Sequence, residues 1–229
     1  MIKRVRFATR SGAGDFGSWP AAVAAARAAP PEVRPVRVVS CTVLPDITPD
    51  QIHDGIGIEW FVDVAHLARF ESWLASPEGS GLDDRLGEVL DLEASPLLLA
   101  EEHVIRGADW LEERWRQGGP RLKHMAIARR AAGLTPTEFS ELWKTRAGKV
   151  GSVTIPDEAR GRAYVQNHQL VPPAGPWAYD AFNEVYFESD DVDGVRARID
   201  FFADTMKAHS EDDLVSESWF VVGREVPHS

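Results

Sequence analysis

Asp180-Ala181-Phe182-Asn183-Glu184-Val185-Tyr186-Phe187 reads as a β-strand. It lies over Asp54-Gly55-Ile56-Gly57-Ile58-Glu59-Trp60-Phe61 at an offset of 126 residues. Both octets begin with Asp and end with an aromatic residue followed by Phe. A second pair of strand-like segments, Val38 to Pro45 and Val165 to Pro172, repeats at an offset of 127. Recurrence at almost one offset is the mark of an internal duplication. Identity between the copies is low, so order and spacing carry the inference.

Working outward from these strands, each half has the same order of elements. In the first half, residues 2–10 form a strand and Ser18-Trp19-Pro20 opens an Ala-rich helix to about Ala28, stopped by Pro30-Pro31. Strands follow at 35–44 and 55–62. Asp63 then caps a helix that repeats Leu67, Phe70 and Leu74 on one face. A short helix through Leu86 to Leu90 and a strand at 96–105 complete the half. A helix from Asp109 to about Gln117, ended by Gly118-Gly119-Pro120, links the halves. In the second half, a strand from Leu122 to Arg130 precedes the capping box Thr135-Pro136-Thr137-Glu138 and a helix burying Phe139, Leu142 and Trp143. Strands at 162–171 and 182–187, a helix marked by Val192, Val195, Ile199, Phe202 and Met206, and a strand at 218–222 follow. The order is β-α-β-β-α-β twice, the split β-α-β of a ferredoxin-like unit.

The expected fold class is therefore α+β: two tandem ferredoxin-like units, at 1–107 and 121–229, joined by a linker at 108–120. A sheet covered by helices on one face must bury the other. The expected solution packs the two antiparallel sheets face to face as a dimeric-type α/β barrel around a small-molecule pocket, in a monomer acting as an internal pseudo-dimer or in a homodimer.

Composition narrows the partners. Acidic residues number 36 against 25 basic ones, a formal net charge of −11. Such a chain repels phosphate backbones, so no nucleic-acid partner is expected. No run approaches the roughly 20 apolar residues of a membrane span, so no membrane partner is expected either. The single cysteine, Cys41, permits no intrachain disulfide and lies in an apolar run, where it reads as a small buried hydrophobe. No apolar signal core follows Met1, and the reading is a soluble cytoplasmic protein. No two histidines share a helix at metal-binding spacing, Ser11-Gly12-Ala13-Gly14 lacks the spacing of a dinucleotide loop, and no nucleophile elbow is present. Neither metal nor cofactor is expected.

The second half resembles the EthD family of the dimeric α/β-barrel superfamily. The resemblance rests on Leu122-Lys123-His124-Met125-Ala126-Ile127-Ala128-Arg129-Arg130, on Gly133-Leu134-Thr135-Pro136-Thr137-Glu138-Phe139 with Trp143, on Tyr164-Val165-Gln166-Asn167-His168, and on Tyr179 to Phe187. The first half looks like a diverged copy. The resemblance implies the barrel fold and a site for a small hydrophobic, polyketide-like or aromatic substrate. It leaves the reaction open among cyclases, dehydratases, decarboxylases, isomerases, cofactor-free oxygenases and ligand binders. A histidine that commonly follows the family's helix tryptophan by three residues is Arg146 here, so no role of that histidine carries over.

Strand alternation places Tyr164, Gln166 and His168 on one face, a polar stripe suited to a pocket wall. His168 is the candidate acid/base, with a hydrogen-bonded structural histidine as the competing reading. Glu184, between Phe182 and Tyr186, is the candidate orienter of His168 or a second acid/base; the competing reading is a buried ion pair with Arg129 or another base. Tyr164 is the candidate oxyanion donor, and His124, in phase with Ala126 and Ala128, a further catalytic candidate. Arg129, Gln166, Tyr186 and His103 are candidate substrate contacts, and Trp60, Trp143 and Trp219 candidate flat walls for an aromatic ligand. The expected chemistry is proton transfer with enolate stabilisation by a lyase, cyclase or isomerase. The alternatives are cofactor-free monooxygenation of an activated phenol or hydroquinone, and non-catalytic ligand binding.

Overall fold

The computed structural model describes residues 1–12, 15–49, 51–146, 154–170, 178–208 and 214–228, without the side chains of 206–208. Among them are eight strands and seven α-helices. The chain forms two compact units: Met1–Val43, Gln51–Glu102 and Gly223–Ser229 make unit one, and Leu44–Asp50 with His103–Val222 make unit two. The strands β4 (Leu97–Arg106) and β8 (Val215–His228) have residues in each.

Unit one contains β1 (Ile2–Ala8), α1 (Trp19–Ala24, continued as a 3₁₀ turn to Ala28), β2 (Arg37–Val43), β3 (Gly55–Phe61), α2 (Val64–Leu74) and α3 (Gly81–Val89). Its sheet order is β4-β1-β3-β2-β8, antiparallel at each of these pairings. The register sets Lys3 directly opposite Trp60 and Arg4 opposite Glu59. One face, carrying Arg4, Gly57 and Glu59, packs on Trp19, Val23, Leu82 and Leu86 of α1 and α3. Gly55 is required here: a Cβ would sit 2.6 Å from Trp19 Nε1. Under those helices Arg4 Nη1 donates to Glu59 Oε2 at 2.8 Å, which satisfies two charges that burial would otherwise penalise. Helix α2 starts as expected: Asp63 Oδ1 accepts from His66 N at 2.7 Å, filling one of the orphan donors of the first turn. Cys41 is fully buried, as its apolar run suggested.

Unit two contains α4 (Ala108–Gln117), β5 (Arg121–Arg130), α5 (Pro136–Arg146), α6 (Asp157–Arg160), β6 (Ala163–Gln169), β7 (Ala181–Phe187) and α7 (Val192–Ala208). Its sheet order is β8-β5-β7-β6-β4. The capping box of α5 forms in both directions, with Glu138 N donating to Thr135 Oγ1 at 3.3 Å and Thr135 N donating to Glu138 Oε2 at 2.9 Å. Residues 44–50 belong to this unit because Leu44 N donates to Val222 O at 2.8 Å and Val222 N to Thr48 Oγ1 at 3.1 Å. The helical layer covers one face of the sheet: α7 through Val195 against Leu122, Val185 and Phe187, and α5 through Phe139 and Trp143 against Ala128 and Ala181. On the opposite face, Ala163, Val165 and Tyr186 pack on Leu111, Trp110 and Trp115 of α4.

Candidate active site in unit two

The register of β5, β7 and β6 fixes three cross-strand rows on the helix-covered face: His124–Val185–Tyr164, Ala126–Asn183–Gln166 and Ala128–Ala181–His168. At about 3.4 Å per residue, Tyr164 and His168 lie roughly 14 Å apart along β6. They are joined through the residue between them. Gln166 Nε2 donates to the Tyr164 hydroxyl at 3.2 Å, and Gln166 Oε1 lies 3.1 Å from His168 Nε2. In this arrangement His168 Nε2 is the donor and the lone pair resides on Nδ1. The polar stripe expected from strand alternation is thus present and internally bonded.

The His168 row is the one with alanines at its other two positions. Small side chains there, against α5, leave a cleft of ≈ 380 Å³, a volume suited to a small molecule. Phe139 and Trp143 wall it, His168, Gln169 and Asp180 lie on the sheet side, and Thr137, Ser140 and Glu141 on the helix side. Trp143 is held by a bond from its Nε1 to Asn183 Oδ1 at 3.2 Å. Asp180 is clamped by Arg130, which donates to it through both its backbone N–H and its guanidinium. The Lys144 ammonium, bonded to Glu141 Oε1 at 2.7 Å, holds the Glu141 carboxyl below its ordinary range, and the His168 ring acts in the same direction. The His103 ring on β4 packs edge-on to His168 with centroids 4.6 Å apart. Among the described residues no group of three or more His, Cys, Asp or Glu side chains is disposed to hold a metal ion.

Several expectations are corrected. Glu184 does not orient His168. It pairs in register with Val165, whereas His168 pairs with Ala181, three positions along, and an odd offset puts the two side chains on opposite faces. Glu184 lies in a fully buried cluster: Lys123 Nζ donates to Oε1 at 2.6 Å, the Tyr186 hydroxyl to Oε1 at 3.1 Å, and Asn167 Nδ2 to Oε2 at 2.9 Å. The ion-pair reading holds for Glu184, with Lys123 rather than Arg129 as the base. Tyr186 belongs to this cluster and not to the cleft. His168 faces the helical layer of its own unit, contrary to the expectation that it lines a pocket on the other face of its sheet. Tyr164 lies too far along β6 to be an oxyanion donor for a group at His168. His124 shares the helix-covered face but sits in the Tyr164 row, with Arg198 Nε 3.4 Å from its Nδ1 and Phe220 at 5.0 Å. Burial, aided by the Arg198 charge, pushes its pKa well below the ordinary histidine value, which keeps it neutral.

Of the three tryptophans expected as walls, Trp143 alone lines the cleft. Trp60 is buried in unit one with its Nε1 donating to Glu102 at 2.9 Å. Trp219 sits with Tyr179 beneath the Arg129 guanidinium, which is half-exposed and bonded to Glu217 at 2.7 Å. Sequence reasoning missed Glu141, Asp180, Thr137 and Ser140. The capping box located α5 but not which of its polar residues face the sheet.

No family model matches this chain, and no curated protein matches it. Solved structures do. An anthrone oxidase-like protein aligns over 98% of this chain and 90% of its own, with 11% identity and a TM-score of 0.57. A proposed monooxygenase from Lactobacillus acidophilus NCFM aligns over 100% and 94%, with 10% identity and a TM-score of 0.48. At these identities the likeness to the anthrone oxidase-like protein is one of fold.

Proposed function

We propose that unit two is an acid–base enzyme that removes a proton from a small apolar or aromatic substrate held in the α5 cleft. The chain is on this reading a duplicated ferredoxin-like protein of EthD-like type, supported by the matching strand orders β4-β1-β3-β2 and β8-β5-β7-β6. The observation that carries the functional reading is the fixed orientation of His168 by Gln166 at the wall of an aromatic-lined cleft. His168 Nδ1, which is enclosed in the free chain and is uncovered only as the substrate enters, takes the proton from an acidic C–H or a phenol; the electron pair stays on the substrate as an enolate or phenolate. The Thr137 and Ser140 hydroxyls, which line the same cleft, are the donors assigned to that developing charge. Rearrangement, cyclisation or elimination of the anion, with the proton returned from His168, needs no cofactor.

A second reading shares the first step. An enolate or phenolate reduces molecular oxygen directly, and the name of the anthrone oxidase-like neighbour gives this route a concrete substrate. Anthrone plus one oxygen molecule gives anthraquinone plus one water.

Anthrone in deuterated buffer separates these readings. Exchange of its methylene protons, slowed about 10²–10⁴-fold in His168→Ala, supports the base. Exchange without oxygen uptake favours the lyase, cyclase or isomerase class, and exchange with uptake favours oxygenation. Exchange at the wild-type rate in His168→Ala removes His168 from both.

A further inference from the structure

We propose that unit two has a second ligand site, at the Tyr164 end of the polar stripe, that binds a compact organic carboxylate on an apolar stem. A cleft of ≈ 350 Å³ is lined there by Arg106, Arg160 and Arg198, by Tyr164, and by the aliphatic side chains of Ile105, Ile155 and Val185. Three guanidiniums meet in one cleft of a chain whose net charge is −11.

Buried Arg198 and partly buried Arg106 are held by neutral groups. Arg198, on α7, is only 5% exposed. Its Nη1 donates to Ala159 O at 3.1 Å, its Nε points to neutral His124, and its guanidinium lies 4.6 Å from the Phe202 ring centroid. Among the described residues Nη2 has no acceptor and no carboxylate pairs with Arg198. Arg106 Nη1 donates to the carbonyls of Gly161 and Arg162 at 2.9 and 3.2 Å, and Nη2 to that of Arg160 at 2.5 Å. Among the described residues Arg160 has one ion pair, a 3.8 Å contact to the solvent-exposed Asp157.

Buried cations are normally matched by an anion, because desolvation without a partner is costly. The cost falls chiefly on Arg198, the buried one. Burial pulls Arg198 down to about 10, with the Tyr164 phenol opposing and Arg106 adding to the fall. Arg106 is lowered by burial and by the charge of Arg160. An incoming carboxylate would meet a planar donor edge suited to two parallel N–H···O bonds. The three aliphatic walls select an apolar stem over a bare inorganic anion. Tyr164 joins this cleft to His168 through Gln166, but no step assigned to His168 is needed for the ligand to bind.

Calorimetric titration of the full chain with benzoate, benzamide and inorganic phosphate tests the site. Saturable benzoate binding is expected, weakened about tenfold or more in Arg198→Gln and several-fold in Arg160→Gln, with benzamide and phosphate at least tenfold weaker than benzoate. Arg160 is half-exposed, so Arg160→Gln carries the test if Arg198→Gln fails to fold. Equal affinity for benzoate and benzamide, wild-type benzoate affinity in the folded variants, or no saturation by about 10 mM overturns the proposal. Phosphate binding as tightly as benzoate also overturns it, since the apolar stem would then contribute nothing. The anthrone exchange reaction reads His168 alone, so either result stands without the other.

Discussion

Lys3 in unit one and Lys123 in unit two occupy matching places, and they are neutralised differently. Each lies near the start of its strand, is fully buried, and faces an aromatic residue across the sheet, Trp60 at 5.1 Å and Tyr186 at 4.7 Å from ammonium to ring centroid. Each pairs with a glutamate. In unit one the glutamate is Glu102 on β4, 2.8 Å away and with 12% of its side chain exposed. In unit two it is Glu184 on β7, two residues before the aromatic itself, 2.6 Å away and with no exposure. The position of the lysine and its aromatic partner is common to both units; the strand that supplies the carboxylate is not. A buried ammonium requires a counter-charge within reach, and that requirement can be met from any neighbouring strand. The comparison also explains why Glu184 makes a poor base. Three donors already occupy its two oxygens, and protonating it would remove the carboxylate charge that faces the Lys123 ammonium.

The largest effect should come from breaking the fully enclosed pair. Lys123→Met takes the donating ammonium from a buried carboxylate and is expected to lower stability by about 3–5 kcal/mol, read from the urea midpoint. Lys123→Met combined with Glu184→Leu removes both charges and should recover most of that loss. A single substitution costing under about 1 kcal/mol would mean the pair is already hydrated, and the contrast between the units would fail.

Each unit also buries a neutral histidine, and these sharpen the comparison through pH. His53 in unit one bonds through Nδ1 to Thr9 Oγ1 at 2.9 Å, and burial lowers it to about 4, with Asp54 opposing. A histidine whose folded pKa lies below its unfolded value of about 6.5 favours the folded state above pH 6.5, and that contribution is lost as pH falls toward 4. The loss is at most about 3 kcal/mol from His53. His124 in unit two acts in the same sense. Unfolding midpoints from pH 7 to 4 should fall less steeply in His53→Gln than in wild type. Parallel curves would show that His53 is protonated at no cost.

Much of this was legible in the sequence, for identifiable reasons. The capping box at Thr135, the Asp63 cap and the alternation through Tyr164, Gln166 and His168 are local patterns, and each local pattern formed. What depended on register was not legible. Glu184 and His168 lie on neighbouring strands, but a shift of one residue decides which face each takes, and nothing in either strand states its partner's phase. The last strand was read as 218–222 and runs from Val215 to His228. Gly223 and Pro227 look like strand breakers. Gly223 is instead a point of close approach, where a Cβ would lie 2.3 Å from Cys41 Sγ. The arginine cleft is drawn from β4, α6, β6, β7 and α7, so no single stretch of sequence carries its signature.

The smallest effect tests the more exposed pair. Lys3→Met takes the ammonium from Glu102, but that carboxylate keeps a bond from Trp60 Nε1 at 2.9 Å and has a route to water that Glu184 lacks. Rehydration limits the cost of an unpaired carboxylate, so a loss of about 1–2 kcal/mol is expected, less than half that of Lys123→Met. The difference between the two substitutions is the informative quantity, because the same side chain is replaced by the same residue opposite an aromatic in both units. Equal losses would show that enclosure of the carboxylate does not set the cost, and that the cation–aromatic contact common to both units dominates instead.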